Sequence, residues 1–303
     1  MTDAREIAPR HGEVQRLAPG LRVVVAPNPS PMTLHGTNSY ILGEGRVTVI
    51  DPGPADPRHL AALLAALAPG ETVARILVTH AHLDHSPLAR PLADTTGAPV
   101  LAFGDATSGR SELMERLAAA GGLDGGEGVD AGFAPDITLP DGAEIACDGF
   151  TLTALHTPGH FGNHLSFQWG DAVFCGDHVM GWSSSLVSPP DGDMGAYMAS
   201  LDRLARLAPA RLFSGHGNPV GDATDRIAAL AAHRRTREAA IRAALAEGPA
   251  DATTLARRIY AETPPALMPA AARNVLAHLL DLTERNLASP VDPLSAEARF
   301  GPL

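Results

Sequence analysis

Short apolar runs alternate with amphipathic stretches over about the first 220 residues of the chain. The β-rich runs at residues 21–25, 38–42 and 47–50 precede a helix, and strands and helices then alternate up to residue 103. A second β-rich block covers residues 144–175, and a last strand follows at residues 211–214. Strands in both halves, with helices between them, predict two sheets packed face to face and covered by helices outside.

The remaining chain has a different pattern, in which Ala, Arg and Leu predict helices separated by short breaks. Three helices are predicted there, at residues 222–246, 253–261 and 268–287. Residues 290–303 are a poor candidate for a β wing. A tail of this length with three helices resembles a small winged-helix-type domain. We therefore expect two domains, residues 1–220 and residues 221–303.

Charge limits the partners that the chain can bind. Acidic residues number 34 and basic residues 23, all of them arginine, which gives a formal net charge of −11. A broadly basic nucleic-acid surface is therefore excluded, although a local patch in the tail stays open. The candidates for such a patch are Arg234, Arg235, Arg237, Arg257 and Arg258. The alternative, which we favour, is that they belong to solvated helix faces paired with Glu238, Glu247 and Glu262.

The chain contains no pattern typical of a membrane or secreted protein. Its longest strongly apolar run, residues 60–68, is far short of the roughly 20 residues that a membrane span needs. The first ten residues mix acids with bases and contain no apolar signal region. We therefore expect a cytoplasmic protein without a membrane partner. Cys147 and Cys175 have no C-x-x-C spacing and are expected to be buried thiols.

Four side chains of metal-ligand type lie within six residues at the end of a predicted strand. The motif H-A-H-L-D-H occupies residues 80–85. Residues i and i+2 at a strand end point to the same side, so His80 and His82 can reach one ion. The chain then turns and offers Asp84 and His85 to a neighbouring point. The alternative, a polar helix start capped by Asp84, does not require three histidines.

Three further candidates each follow a later predicted strand and a glycine. They are His160, Asp177 and His216. A glycine permits φ values and close approaches that a Cβ forbids. Each residue alone is a weak signal, but together in this order they indicate a metal cage on loops over a rigid sheet. The Gly-rich stretch at residues 121–132 is another loop that we expect to border a substrate.

Over residues 12–220 the chain resembles the metallo-β-lactamase superfamily. The resemblance rests on the H-x-H-x-D-H motif and on the histidine, aspartate and histidine that follow later strands. The resemblance implies an α/β fold, an αββα sandwich with the metals at one sheet edge, followed by the winged-helix-like tail. It also implies two metal sites that share a bridging carboxylate. The first site is His80, His82 and His160, the second is Asp84, His85 and His216, and the bridge is Asp177. Phe161 departs from the pattern, since many relatives have a small polar residue there, and this could alter access.

The donor set of five imidazoles and two carboxylates suits Zn²⁺, although iron or manganese also fits it. Two zinc ions are therefore the expected cofactors. Such a pair holds a bridging water and lowers its pKa from ~15.7 towards ~7, which predicts a bridging hydroxide as the nucleophile. Asp84 is the candidate to orient that hydroxide, and His178, next to Asp177, is the candidate general acid. No G-x-S-x-G motif competes with this interpretation.

Three other residues are candidates to support the metal ligands from behind. Asn38 lies in a G-T-N segment similar to one near the metals in this family, and the alternative is a plain turn residue. His156 precedes the T-P-G-H segment and could donate to a neighbouring carboxylate. His164 follows four residues after His160, and for it we favour a structural role. No residue is assigned to substrate binding.

The segments at residues 28–31, 36–38, 51–54 and 181–185, with the helical tail, resemble a subgroup of the superfamily that has a C-terminal winged-helix domain. That subgroup includes an endoribonuclease selective for single strands, which implies single-stranded RNA as the first candidate substrate. A small-molecule ester or thioester is the alternative, as in hydroxyacylglutathione hydrolases. Those relatives hold glutathione with basic residues that usually include lysine, which this chain lacks. A metal-stabilised binding module acting through the winged helix is a third interpretation, and a homodimer stays open.

Overall fold

The structure is a computed structural model that describes residues 10–123, 125–126 and 128–303. In this part of the chain the strands are β1 (Val14–Ala18), β2 (Leu21–Val25), β3 (Asn38–Leu42), β4 (Arg46–Ile50), β5 (Thr72–Leu77), β6 (Val100–Ala102), β7 (Ile137–Thr138), β8 (Glu144–Cys147), β9 (Phe150–His156), β10 (Leu165–Trp169), β11 (Ala172–Gly176), β12 (Arg211–Ser214), β13 (Ala250–Asp251), β14 (Ala288–Pro290) and β15 (Arg299–Pro302). The helices are α1 (Pro57–Ala65), α2 (Ala89–Thr96), α3 (Glu112–Ala120), α4 (Met194–Leu207), α5 (Ala223–Leu245), α6 (Ala252–Ile259) and α7 (Met268–Glu284), with a short 3-10 helix at Pro265–Leu267.

The first sheet contains β1 to β7 in chain order. Its first four strands pair antiparallel, and β4 to β7 pair parallel. Parallel neighbours need a crossover, which α1 provides between β4 and β5 and α2 between β5 and β6. α1 begins at Pro57 because the Asp56 carboxylate accepts a hydrogen bond from the Arg58 N–H and caps the first turn.

The second sheet has the order β12-β11-β10-β9-β8, and only the β11–β12 pair is parallel. The two sheets face each other across an apolar core. That core contains Leu21 and Tyr40 from the first sheet and Phe167, Phe174 and Phe213 from the second. Burying these side chains removes a large apolar area from water, which is the main force that holds the sheets together.

Helices cover the outer face of each sheet. α1 and α2 pack Leu63 and Leu92 against Ile76 of the first sheet. α4 and α5 pack Leu201 and Ile227 against the second sheet. The predicted αββα sandwich is therefore confirmed. Among the described helices, none has the length and apolar composition that a membrane crossing would need.

The tail packs α5, α6 and α7 around a core that includes Leu255, Leu279 and Phe300. A small sheet with the order β13-β15-β14 lies beside these helices. The sequence makes residues 290–303 a poor candidate for a β wing. In the structure they do form strands, since they supply β15 and the end of β14. Phe300 gives the wing an apolar anchor, because it is fully buried. The predicted helical winged-helix-like tail is therefore confirmed, while a domain boundary at residue 220 stays a prediction.

Strand ends gather the candidate residues at one edge of the sandwich. His80 lies shortly after β5, His160 after β9, Asp177 directly after β11 and His216 shortly after β12. Asp51 directly follows β4, which pairs in parallel with β5. Since parallel strands end at the same edge of a sheet, these loops meet there, on a scaffold fixed by the core.

Candidate metal centre

The seven side chains expected to ligate metal lie together above these strand ends. In the described part of the chain they form two groups, and within each group one ligand-type atom per residue lies within 4.8 Å of the others. The groups are His80, His82 and His160, and Asp84, His85, Asp177 and His216. We call them the imidazole group and the carboxylate group.

His82 is the centre of the imidazole group. Its Nδ1 lies 2.9 Å from His80 Nε2 and 3.1 Å from His160 Nε2. Three imidazole nitrogens therefore face one point, as they would around a borderline transition metal. Phe161, the departure from the family pattern, has a buried ring that packs edge-on against the His82 ring at a centroid distance of 4.8 Å. Phe161 thus supports a candidate ligand.

Asp177 connects the two groups. Its Oδ1 lies 3.4 Å from His85 Nε2, and its Oδ2 lies 3.2 Å from His216 Nε2. The same Oδ2 lies 3.8 Å from His160 Nε2 of the imidazole group. Asp84 Oδ2 approaches His216 Nε2 at 3.2 Å from the other side. Asp177 therefore lies beside ligand-type atoms of both groups.

Two glycines make room for this arrangement. A Cβ on Gly215 would meet Asp177 Oδ1 at 2.3 Å and His85 Cε1 at 2.7 Å. A Cβ on Gly159, which has φ of +137°, would meet the Tyr197 Cα at 2.2 Å. Glycine is needed at both positions because any side chain would push a loop away from the centre.

Burial favours the neutral form of the imidazole group. It lowers the pKa of His82 to about 3 and lowers the pKa of His160 below its ordinary value. Burial also lowers the pKa of His80 strongly, and the neighbouring imidazoles His85 and His82 add to the effect. Neutral imidazole is the form that binds a metal ion, so this group needs no deprotonation before it can ligate.

The carboxylate group behaves in the opposite way. Burial opposes protonation of His216, but Asp177 and Asp84 outweigh it and raise the pKa of His216 to about 9. The pKa of His85 is likewise raised against burial by Asp84, Asp177 and Asp51. Burial would raise the pKa of Asp84 and of Asp177, yet His85 and His216 lower both. Two carboxylate charges thus persist here, and a bound cation would displace the imidazole protons.

The residues present fit a pair of metal ions. Two buried atoms of the carboxylate group, His85 Nε2 and Asp177 Oδ1, form an ion pair but no hydrogen bond of normal geometry with any described residue. Such atoms are rare in folded proteins because each costs free energy. These two face each other at 3.4 Å, where a shared cation would satisfy both. Imidazole and carboxylate donors suit zinc, iron or manganese.

Asp51 is a functional candidate that the sequence reasoning missed. It adopts a φ of 52°, a conformation that Asp tolerates better than most residues. Its Oδ2 accepts a hydrogen bond from Thr79 Oγ1 at 2.8 Å and lies 2.9 Å from His85 Nδ1. Thr79 Oγ1 in turn lies 2.9 Å from His80 Nδ1. Since the carboxylate can only accept, the His85 ring has a proton on Nδ1 and directs Nε2 towards the carboxylate group. Thr79 holds the His80 ring so that its Nε2 faces the imidazole group.

Backbone carbonyls orient two more imidazoles. His160 Nδ1 lies 2.6 Å from the Leu186 carbonyl oxygen, and His216 Nδ1 lies 3.1 Å from the Gly36 carbonyl oxygen. A carbonyl oxygen only accepts, so each ring carries its proton on Nδ1. Each therefore presents Nε2 towards its group.

Asn38 lies behind the loop that carries His216. Its Nδ2 donates to the Ser214 carbonyl at 3.0 Å and to the Gly217 carbonyl at 2.8 Å. The Tyr40 hydroxyl also donates to the Ser214 carbonyl, at 2.6 Å. These bonds tie the first sheet to the loop and limit how far His216 can move.

The two remaining support candidates occupy different surroundings. His164 is buried, with its ring centroid 5.2 Å from that of His80 and its Nδ1 3.0 Å from Thr157 Oγ1. His156 stacks on Phe103 at a centroid distance of 3.8 Å. The expected donation from the His156 ring to a carboxylate is not what the structure has, because its Nε2 faces the Gly162 carbonyl at 2.9 Å.

The position of His178 contradicts a role as general acid. Its side chain is fully buried, and its ring packs on Tyr197 at a centroid distance of 4.6 Å. Burial lowers the pKa of His178 to about 3. A proton donor must come within hydrogen-bond reach of the substrate. The chain turns after Asp177, so the next side chain enters the core and not the cleft.

A cleft of about 540 Å³ opens over both groups. Five of the candidate ligands line it: His82, Asp84, His160, Asp177 and His216. Its other walls are formed by Asn28, Ser30, Pro31, Met32, Thr33, Pro54, Leu83, Gly128, Met180, Trp182, Ser183, Ser184 and Leu186. No arginine occurs among these lining residues. Gly128 belongs to the Gly-rich stretch expected to border a substrate, while Asp124 and Glu127 of that stretch lie outside the described residues.

The tail arginines are mostly engaged within the protein. Arg234 is only 1% exposed. The Arg237 guanidinium lies 4.3 Å from the centre of the Tyr260 ring. Arg235 and Arg258 approach surface carboxylates at 3.8 Å and 3.5 Å. Of the expected pairs with Glu238, Glu247 and Glu262, the one found among the described residues is Arg258 with Glu247. Arg234 does not lie on a solvated face, and its burial also removes it from a phosphate-binding patch.

A sandwich with two groups of histidines and carboxylates at the edge of its sheets defines a metallohydrolase. The family model described as the metallo-beta-lactamase superfamily matches residues 32–216, and that of the beta-lactamase associated winged helix domain matches residues 252–292. The chain therefore belongs to the metallo-β-lactamase superfamily, a family of metal-dependent hydrolases whose fold binds dinuclear metals.

Similar proteins match this chain over most of its length. It is 32% identical over 282 residues to "Beta-lactamase-like protein 2 homolog" of Drosophila melanogaster, covering 89% of each chain. It is 31% identical over 269 residues to "Lactamase-like protein adaB" of Aspergillus niger, covering 86% of this chain and 75% of that one. A solved metallo-beta-lactamase family protein from Thermus thermophilus is 26% identical, with a TM-score of 0.76 over 95% of this chain and 100% of the other.

Proposed function

We propose that the imidazole group and the carboxylate group hold two zinc ions, with Asp177 between them, and that the chain hydrolyses an ester or thioester in the cleft above. Two such ions, when bound, lower the pKa of water towards about 7 and stabilise a developing oxyanion. The observation that supports the metal sites most strongly is the convergence of the ligand-type atoms, which lie within 4.8 Å of one another in each group.

The chain's own residues have separate tasks in this proposal. Asp84 lines the cleft, and its side chain is 26% exposed, so it can accept a hydrogen bond from the attacking water. Asp51 holds the ring of His85 directly and that of His80 through Thr79. Because the buried His178 cannot reach the substrate, the leaving group would take up either the proton that Asp84 accepts from the attacking water or a proton from solvent in the cleft.

The cleft lining supports an uncharged, largely apolar acyl group. Met32, Leu83 and Trp182 lie beside the candidate ligands, and the polar wall residues are small and neutral. A polyanion would gain affinity from arginine, yet none lines the cleft. The net charge of −11 also disfavours approach of a polyanion.

Single-stranded RNA is the second candidate substrate. It is favoured by the winged-helix match at residues 252–292, since winged helices are a common nucleic-acid fold. In this alternative the backbone would cross the cleft and contact exposed arginines of the tail, of which Arg257 and Arg258 are examples.

The test compares substrates on one zinc-loaded preparation. An octanoyl thioester, S-lactoylglutathione, single-stranded RNA at low salt and nitrocefin are incubated side by side with the protein and with Asp84→Ala and His216→Ala. We expect metal-dependent turnover of the octanoyl thioester above all others, lost in both variants. Metal-dependent cleavage of RNA alone would replace the ester proposal with the second candidate. If the protein binds two ions but turns over none of the four substrates, the result would instead favour a metal-stabilised binding module.

A further inference from the structure

One wall of the cleft follows Asp177 and is held from behind by the helical tail. Met180, Ser183 and Leu186 contribute to this wall. Arg226 of α5 donates from Nε to the Met180 carbonyl at 2.7 Å and from Nη2 to the Ser183 carbonyl at 2.6 Å. Since these bonds go to the backbone, they fix the path of the wall independently of its side chains.

Arg234 and Asn274, from α5 and α7, hold the next part of the same wall. Arg234 donates from Nη2 to the Ser185 carbonyl and from Nη1 to Asn274 Oδ1 at 3.0 Å. Asn274 Oδ1 also accepts a hydrogen bond from the Val187 N–H at 3.0 Å. Both ends of a three-residue segment, Ser185 and Val187, are thus tied to the tail.

The middle residue of that segment touches a candidate metal ligand. Leu186 offers its carbonyl oxygen to His160 Nδ1 at 2.6 Å. This contact sets the plane of the His160 ring and leaves Nε2 pointing at the imidazole group. If the Leu186 carbonyl shifted, the His160 ring would be free to rotate about its side-chain bonds. Its Nε2 faces the imidazole group and does not fix the plane of the ring.

The surroundings of Arg234 fit a positioning task better than a surface task. The side chain is 1% exposed, and its guanidinium lies 5.1 Å from the centre of the Tyr197 ring. A buried guanidinium is costly unless strong acceptors compensate it. The acceptors that it has here are the Ser185 carbonyl and Asn274, both of which lead to the cleft wall.

We infer that Arg234 and Asn274 are positioning residues through which the helical tail orients His160 and so sets the affinity of the imidazole group for its metal ion. This inference rests on the metal role proposed for His160. It gives the tail a part in the metal centre that does not depend on nucleic-acid binding. Arg226 acts on the same wall further from His160, so it affects the shape of the cleft and not the metal.

The test measures zinc affinity by competition with a chelator, and cobalt absorption spectra report the geometry of each site. Asn274→Ala removes the shared acceptor, and we expect one of the two ions to bind roughly 10-fold to 100-fold more weakly. Asn274→Asp keeps an acceptor oxygen at that place and is expected to retain the affinity of the wild-type protein. Arg226→Met is expected to keep both ions while the KM for the octanoyl thioester rises.

The outcomes separate this inference from the proposed function. A wild-type protein that binds no metal would end the proposed function. A wild-type protein that binds two ions, with Asn274→Ala folded and equal to it in affinity and spectrum, would overturn the inference alone. If Asn274→Ala does not fold, Arg234→Lys takes its place. Arg234→Lys keeps the positive charge but cannot donate to Ser185 and Asn274 at the same time, as the guanidinium does. Unchanged zinc affinity in this variant would also overturn the inference.

Discussion

The metal centre and the helical tail bury polar groups of different kinds, and only at the metal centre do buried carboxylates and imidazoles converge in the part of the chain that the structure describes. At the metal centre, imidazoles and carboxylates face one another, and His85 Nε2 and Asp177 Oδ1 form an ion pair but no hydrogen bond of normal geometry with any described residue. In the tail, Arg226 and Arg234 reach into the protein and end on backbone carbonyls. The core of the tail is otherwise an apolar cluster around residues such as Phe300.

The difference indicates what each region needs in order to work. The metal centre is incomplete in its hydrogen bonding until a cation enters, so its geometry and stability should respond to metal. The tail obtains its stability from apolar burial and should not respond directly. It supports the centre from behind, through one wall of the cleft.

The largest effect is expected from Asp177→Asn, which keeps the shape of the side chain but removes the charge shared by both groups. We expect kcat/KM to fall on the order of 10³-fold, together with loss of bound metal. The measurements are steady-state kinetics with the best substrate and elemental analysis. Asp202→Asn, at an exposed carboxylate of α4, is the matched control and should change neither. Activity within tenfold of the wild type would show that Asp177 is not a bridge.

A core variant of the tail tests the other half of the comparison. Phe300→Ala leaves a cavity where a fully buried ring lay, and we expect a loss of about 3–5 kcal/mol in the free energy of unfolding. Urea denaturation measures this loss, and Phe300→Leu should lose less. The protein that remains folded should keep its metal content. Metal loss from folded Phe300→Ala would mean that the apolar core of the tail also controls the contacts of Arg234 and Asn274 with the cleft wall.

Asp51→Asn tests whether one carboxylate supports both groups. The Asp51 carboxylate contacts His85 directly and His80 through Thr79, so both ions should bind roughly 10-fold to 100-fold more weakly. Chelator competition gives the two affinities. Asp56→Asn, at a helix cap, serves as the control. If only one of the two ions binds more weakly, Asp51 supports a single group and not both.

The smallest effect concerns His278, a buried histidine of α7. Both ring nitrogens lack hydrogen-bond partners, and burial, with nearby Arg234 and Arg285, lowers the pKa of His278 from 6.5 to about 3. Between these values the unfolded chain binds a proton that the folded chain does not. His278 should therefore contribute a fall in the free energy of unfolding as the pH is lowered through this window, by at most about 1.4 kcal/mol per pH unit. The other buried histidines with lowered pKa, such as His82 and His178, add slopes of the same sign.

His278→Leu should flatten that pH dependence, as measured by urea denaturation of metal-free protein at a series of pH values. His233→Leu, at a partly buried histidine of α5, is the control and should leave most of the slope. An identical slope in wild type and His278→Leu would show that His278 is protonated without cost in the folded protein.

Much of the fold and the composition of the site followed from local patterns. The apolar runs predicted most strands of both sheets, since buried strands have continuous apolar stretches. The motif at residues 80–85 drew attention to the edge where the site lies. Residues after strand ends tend to meet above a sheet, which is why His160, Asp177 and His216 could be grouped with it.

What escaped prediction depends on contacts that only the fold creates. Asp51 lies 34 residues from His85 in the sequence, and only the parallel pairing of β4 with β5 brings the two together. His178 was misjudged because adjacency to Asp177 says little about direction, and the chain turns between them. The burial of Arg234 was hidden because arginine on a helix usually faces solvent. β1 and β7 were missed because both are short and largely exposed.

The most direct test of the account is the metal content of protein purified without added metal or chelator. Elemental analysis should find about two transition-metal ions per chain, zinc being the one expected, and fewer in Asp177→Asn and His216→Ala. A wild-type protein that contains no transition metal and takes up none when zinc is supplied would contradict the account at its centre.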